Sequence, residues 1–207
     1  MHATSEKKTK ILVSGFEPFA GASLNPSQLL VEELSRQEIP GVQLSTLVLP
    51  VEFDRSTQLL LQRIREFSPE IVISLGQAEG RKAITPERIA INFDDARIPD
   101  NAGNQPQGRK IEGSGADGYF STLPIEQIER ELNNSGVPSS ISLSAGTFVC
   151  NHLFYRLQHA LLNTSVRSGF IHLPLVSEQI EEFPSQPTME LSEMVRGMRA
   201  AIIRIIS

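Results

Sequence analysis

Short apolar runs, too brief to be helices, alternate along this chain with longer stretches of helical periodicity. That alternation limits the fold more than any other feature. Lys10–Ser14, Val42–Pro50, Glu70–Leu75, Ser139–Ser144 and Gly169–Leu175 read as strands. Glu70–Leu75 is nearly continuous in apolar residues and stops at Gly76, the style of a parallel strand buried on both faces. Between the runs, Phe53–Phe67, Ile125–Asn134, Cys150–Leu162 and Glu190–Ile206 carry apolar residues at helical spacing, and Gly136 suits the end of the second of these helices. Asn25-Pro26-Ser27-Gln28 opens a further helix: Asn25 caps, Pro26 fits the first helical position, and Gln28 can reach back as in a capping box. The order is β-α-β-α-β, a loop-rich insertion, then α-β-α-β-α. It predicts an α/β fold, a single three-layer α/β/α domain over 10–207 with a twisted, largely parallel mixed sheet, preceded by a flexible polar tail at 1–9. A chain of 207 residues is long enough to bury the core such a domain needs.

The segment from about Gly76 to Gly118 breaks the alternation. It is rich in Gly, Pro, Asn and Asp, with one strand-like piece at Arg88–Phe93. A loop region this long inside a compact domain usually serves a function. Sites in open α/β sheets form at the carboxyl ends of the strands, so three turns are candidates: Gly15–Gly21, Gly76–Arg81 and Ala145–Cys150.

Several chemistries are excluded or weakened. Gly15-Phe16-Glu17-Pro18-Phe19-Ala20-Gly21 lacks the dinucleotide glycine spacing, and no P-loop is present. The net charge of −5 argues against a nucleic-acid partner. No window approaches the roughly 18 apolar residues of a membrane span, and the start of the chain does not read as a signal peptide, so a cytoplasmic location is expected. One cysteine excludes an intrachain disulfide and a thiolate zinc cluster. Cys150-x-His152 on a helix makes a poor chelate, and Asp94-Asp95 at a strand end point to opposite faces, so no metal and no cofactor are expected.

Nucleophilic catalysis by the single cysteine remains. Ser144-Ala145-Gly146-Thr147-Phe148-Val149-Cys150 joins a strand to a helix and places Cys150 at the helix start. There the dipole and free backbone N–H groups favour a thiolate and can hold an oxyanion, so the expectation is a lowered thiol pKa. His172 lies between Ile171 and Leu173 in a strand and is either a hydrogen-bonded core histidine or the base for Cys150. Residue types alone leave both readings open, and they leave Phe16 and Phe19 open between core packing and an apolar pocket.

Four segments bear a wider resemblance: Ile11–Phe19 with Asn25-Pro26-Ser27; Gly76-Gln77-Ala78 through Ile84–Asn92, Asp95–Asn101 and Tyr119–Pro124; Ser144–Asn151; and Gly169–Pro174. In that order and over nearly the whole chain, the sequence resembles the type I pyroglutamyl peptidases, also called pyrrolidone-carboxylate peptidases. The resemblance implies a cysteine omega-peptidase that removes N-terminal pyroglutamate through a thioester. It places the catalytic Glu, Cys and His on Glu87, Cys150 and His172, with the Cys150 N–H donating to the oxyanion and Arg97 near it. It places the pocket for the lactam ring on Phe16, Phe19, Gln77, Ile98, Phe148 and Val149. Partners implied are peptides with N-terminal pyroglutamate and further copies of the chain, as a homo-oligomer up to a tetramer. Two departures stand out: Ala20-Gly21 replaces a Gly-Gly pair, and Glu79 stands where a small residue is usual. A cysteine hydrolase of another small cyclic or acyl amide, and a non-catalytic binder of pyroglutamyl peptides, are the alternatives.

Overall fold

The computed structural model describes residues 7–207. In chain order the elements are β1 (Thr9–Phe16), α1 (Pro26–Ser35), β2 (Val42–Leu49), α2 (Arg55–Phe67), β3 (Ile71–Gln77), β4 (Thr85–Pro86), β5 (Ile89–Ile91), β6 (Gly118–Phe120), α3 (Ile125–Asn134), α4 (Val149–Leu161), β7 (Arg167–Leu173), β8 (Leu175–Val176), β9 (Thr188–Met189) and α5 (Leu191–Ile206). The main sheet runs β2-β1-β3-β7-β4. Its first four strands are parallel and β4 pairs antiparallel on the edge of β7, which is the largely parallel mixed sheet expected. Among the described residues, no helix is long and apolar enough to cross a membrane.

Successive side chains of a strand point to opposite faces, and this alternation sorts the core into two halves. Ile11 and Val13 of β1, Ile71, Ile73 and Leu75 of β3, and Ile171 and Leu173 of β7 pack under α1, α3 and α5. Leu12 and Phe16, Val72, and Phe170 pack under α2 and α4 with Leu60, Leu153, Phe154 and Leu157. Because both faces are covered, the strands are apolar throughout, and the sequence alone could not assign a face to any residue. His172 shares the parity of Phe170 and so projects toward α4.

The start of α1 pins the turn after β1. Asn25 caps through its side chain, accepting from the Ser27 N–H at 3.0 Å. Its amide also donates to the Glu17 carbonyl (3.0 Å), and the Phe16 N–H donates to the Ser27 hydroxyl (2.9 Å). Gln28 does not close a capping box; it donates to Glu32 one turn on, at 2.8 Å. The cap therefore holds the loop that carries Phe19 as well as the helix.

Three boundaries differ from the sequence reading. Ser139–Ser144 is not a strand: it touches the sheet region only through single bridges, Ile84 to Ser139 and Glu87 to Ser142. Pro86 brings no N–H to this pairing, and serine hydroxyls take backbone partners instead, Ser139 on the Ile84 carbonyl (2.9 Å) and Ser142 on that of Ser144 (3.2 Å). Thr9, read as the last residue of a tail over 1–9, lies in β1, and residues 1–6 of that reading lie outside the described residues. Arg88–Phe93 contributes β5, but to a separate two-stranded sheet with β6.

Ala20 adopts φ 53° beside Gly21 at 81°, a left-handed pair in which only the glycine is at ease. Ala20→Gly should therefore stabilise the fold by about 0.5–1 kcal/mol after the extra unfolded-chain entropy of glycine is set against the relieved strain. A thermal melt should show a Tm higher by about 1–4 °C.

Candidate active site

The carboxyl ends of β1, β3 and β7 and the head of α4 meet at one place. Glu87 follows β4, with its N–H on the Phe170 carbonyl (2.9 Å), so its side chain falls on the face that carries Phe170 and His172. There His172 Nδ1 lies 2.7 Å from Glu87 Oε1. Glu87 is anionic, so Nδ1 carries the proton and donates it, which leaves Nε2 as the free basic nitrogen. The Glu87 side chain has no exposed surface and that of His172 has 5 %.

Cys150 reaches the same face from above. It is the second residue of α4, where backbone N–H groups have no partner within the helix. Its Sγ would stand 2.9 Å from a Cβ built on Gly76, and Gly76 is the β3 residue paired in register with His172. The sulfur thus sits over a gap in β3 that only glycine leaves open, at the residue paired with His172. Asn151, the next residue, clamps the helix head to β5 and the loop after it: it accepts from the Ile91 N–H (2.9 Å) and donates to the carbonyls of Ile91 (2.9 Å) and Phe93 (3.1 Å).

The electrostatics refine the expectation for the thiol. Burial, then the Glu87 charge, push Cys150 up to about 12, while Arg81 and the residue's own N–H pull the other way. The lowered pKa expected from the helix terminus is therefore overturned: the half-buried sulfur is poorly solvated and faces a carboxylate. Burial also lowers His172, against the opposing pull of Glu87. Glu87 resists burial through its His172 hydrogen bond and the nearby positive charge, and ends below the ordinary carboxylate value. These directions favour a neutral thiol and a neutral imidazole beside a carboxylate.

Arg81, which sequence reasoning did not single out, completes the cluster. Its Nη1 donates to Glu87 Oε1 at 2.7 Å and also to the Thr85 hydroxyl, and its Nη2 donates to the Ser144 carbonyl at 3.1 Å. The only hint was its place in one of the three post-strand turns.

Next to these groups lies a cleft of about 560 Å³. All three post-strand turns contribute walls: Phe19, Ala20 and Ala22; Gln77, Ala78 and Glu79; Gly146, Thr147 and Phe148. The long loop adds Asp95, Arg97 and Ile98, and Phe183 closes one side. Of the six residues expected at the pocket, Phe19, Gln77, Ile98 and Phe148 are walls, whereas Phe16 and Val149 are buried in the core beneath. Phe183 had no sequence signal. Phe19, Phe148 and Phe53 form a chain of aromatic contacts, with centroids 6.1 and 5.4 Å apart. Gln179 donates to Gln77 Oε1 (3.1 Å) and so orients it.

The long loop is tied to the head of α4. Thr147 and Asp95 exchange hydrogen bonds: the Asp95 N–H donates to the Thr147 carbonyl (3.0 Å) and the Thr147 hydroxyl to the Asp95 carbonyl (2.8 Å). His152 and Asp94 do not reach the cleft. They form a buried pair at 2.9 Å that Arg109 joins at 3.3 Å, so this histidine braces the loop from below. Among the described residues no group of three or more His, Cys, Asp or Glu side chains is placed to hold a metal ion.

A family model described as pyroglutamyl peptidase matches residues 9–207. The chain belongs to the pyroglutamyl peptidase family. It is 47 % identical over 194 residues to the pyrrolidone-carboxylate peptidase of Vibrio vulnificus strain YJ016, covering 94 % of this chain and 91 % of the relative. It is 48 % identical over 199 residues to that of Brevibacillus brevis, covering 95 % and 93 %. The crystal structure of pyroglutamyl peptidase I from Bacillus amyloliquefaciens superposes with a TM-score of 0.92 at 39 % identity, over 97 % of this chain and 96 % of that one. Pyrrolidone carboxyl peptidase from Thermococcus litoralis gives 0.91 at 37 % identity, over 96 % and 93 %. This family membership agrees with the fold class and with the resemblance carried by the motifs.

A methyl group at Gly76 would meet the Phe170 ring at 2.8 Å as well as the cysteine sulfur. Gly76→Ala should lower kcat at least about 100-fold by moving Sγ, with a smaller cost in stability, since a misplacement near 1 Å is enough for a loss of that size. Turnover and a thermal melt of the same variant would separate the two effects.

Proposed function

We propose that this chain hydrolyses the amide bond after an N-terminal pyroglutamyl residue, with Cys150 as nucleophile, His172 as base and then acid, and Glu87 orienting the imidazole. The observation that carries the reading is the Glu87–His172 pair beside a helix-head cysteine, next to an aromatic-walled cleft, in a chain of this family. Substrate binding expels water and brings the carbonyl to Sγ. His172 Nε2 takes the thiol proton as the C–S bond forms, so no preformed thiolate is needed. Glu87 stabilises the imidazolium that results. The N–H of Cys150 and the Arg97 side chain are proposed to face the oxyanion. The peptide amine leaves with the proton from His172, and a water molecule, deprotonated by the same nitrogen, cleaves the thioester to release pyroglutamate.

The cleft suits a flat lactam with no net charge. Phe19, Ile98 and Phe148 offer apolar contact, and Phe16 and Val149 support it from beneath. A free N-terminal glutamine would carry an ammonium into this slot and lose its hydration without a partner. Glu79 and Asp95 stand at the walls and would meet the residues that follow pyroglutamate. We further propose a homo-oligomer up to a tetramer, supported by apolar side chains left exposed, among them Ile203 of α5 and Phe120. A cytoplasmic location fits the free thiol, which needs a reducing compartment.

Release of a chromophore from a pyroglutamyl amide tests the reading. Cys150→Ser should abolish turnover, and iodoacetamide should do so by modifying this single thiol. Equal or faster turnover of prolyl or acyclic acyl amides would instead identify a hydrolase of another amide class. Substrate that protects Cys150 from alkylation without yielding product would identify a binder.

The pH profile is a second check. The base must be neutral, and burial holds His172 below its ordinary value, so kcat/KM should rise with pH through a limb below 6.5 and be full at neutrality. Glu87→Gln removes the charge that raises His172. The limb should move to still lower pH, while kcat falls by about 10²–10⁴ because the proton on Nδ1 is no longer held in place.

A further inference from the structure

We infer that Arg81 is a positioning residue that locks the three catalytic segments into one unit; the inference rests on the assignment of Glu87, Cys150 and His172 above. The guanidinium contacts two of the three segments directly and reaches the third through Thr85. It donates to Glu87 Oε1 at 2.7 Å, the same oxygen that receives His172 Nδ1 at 2.7 Å. It donates to the Thr85 hydroxyl, and Thr85 is paired with His172 across β4 and β7 and donates to the His172 carbonyl at 3.4 Å. It donates to the Ser144 carbonyl at 3.1 Å, where the turn to Cys150 begins. The Ser144 contact is the only one of these that reaches toward the helix carrying the nucleophile.

The contact also answers a charge problem. Glu87 has no exposed surface, and its Oε2 has no hydrogen-bond partner. Arg81 is the cation that faces it. Without that cation, the carboxylate would stay charged beside the imidazole N–H and the nearby Ser142 hydroxyl, but nothing would fix its direction. Nδ1 then loses a rigidly placed acceptor. The charged groups facing His172 are Glu87 from the end of β4 and Arg81 from the β3–β4 loop, and Cys150 from α4 stands over Gly76, the neighbour of His172 in register. Arg81 lowers His172 and lowers Cys150, so its charge favours a neutral base and eases loss of the thiol proton together. Its side chain is 25 % exposed and is not a wall of the cleft, so it acts through other residues and not on substrate. A lysine could meet Glu87 as a point charge, but one ammonium cannot bridge Glu87 and the Ser144 carbonyl with the planar geometry seen here.

Three readouts on wild type, Arg81→Ala and Arg81→Lys test this: kcat and KM on a pyroglutamyl amide, the acid limb of kcat/KM, and the rate of Cys150 alkylation by iodoacetamide. Arg81→Ala should lower kcat about 100-fold, the worth of one or two charge-assisted hydrogen bonds, with KM within about threefold of wild type. Its acid limb should move to higher pH, because the repulsion that lowers His172 is gone. Its alkylation should be slower at any given pH, because the thiol is harder to ionise. Arg81→Lys should keep the acid limb near that of wild type and still lose about tenfold in kcat. Wild-type kcat in Arg81→Ala, a loss confined to KM or to the melting temperature, or an unmoved limb with an unmoved alkylation rate would overturn the inference. If Arg81→Ala does not fold, wild-type kcat in Arg81→Lys overturns it. If the wild-type protein shows no turnover, the functional reading fails. The alkylation rates still decide the role of Arg81: equal rates in wild type and Arg81→Ala overturn it.

Discussion

A carboxylate with no exposed surface has to be held by donors, and at the candidate site that carboxylate is Glu87. Its partners set the state of the site. One oxygen takes both His172 Nδ1 and Arg81, which fixes the imidazole ring and leaves Nε2 as the basic nitrogen. Burial, and then the same negative charge, push the neighbouring thiol toward its protonated form. The arrangement therefore suits a base that removes a proton as the C–S bond forms, and suits less well an ion pair waiting for substrate. It also requires the irregular pieces around Glu87. The two-residue β4, the Arg81 loop and the Ser139–Ser144 segment all serve to bring donors to a buried charge.

The rest of the scaffold brings one sulfur to that pair. Parallel strands in register place Gly76 beside His172, and alternation puts both on the face covered by α4. The absence of a side chain at Gly76 makes room for Sγ. Asn151 holds the head of α4 on β5, and the Asp95–Thr147 exchange holds the long loop against the same turn. Each of the three turns that follow a strand, or precede the helix, then supplies wall residues to one cleft. Sequence distance is irrelevant to this meeting; strand order decides it.

Cys150 and His172 were legible as candidates because a cysteine at a helix start and a histidine inside an apolar strand are both unusual. Glu87 was not: in Pro86-Glu87-Arg88 it has the look of a surface charge, and only the family motif marked it. Arg81 was invisible for the same reason, since an arginine in a polar loop is the commonest kind of arginine. The thiol was misjudged in direction, because a helix terminus can be seen in a sequence but the burial and the facing carboxylate cannot. Phe16 and Phe19 could not be told apart from composition; three residues of chain place the first in the core and the second on the cleft.

What the sequence by itself determined is local and periodic. The strand and helix segments, the Asn25-Pro26-Ser27 cap, the helix end at Gly136 and the position of the cysteine at the head of α4 follow from short-range spacing and capping chemistry. These are properties of neighbours in the chain. The faces of the strands, the partner of Glu87, the gap over Gly76, the role of Arg81 and the protonation of the thiol were decided only by tertiary structure. Each depends on which groups lie across strands or loops tens of residues apart, and on how much water is excluded between them. Solvation and Coulomb energies are set by distance in space, and that distance is not written in the order of residues.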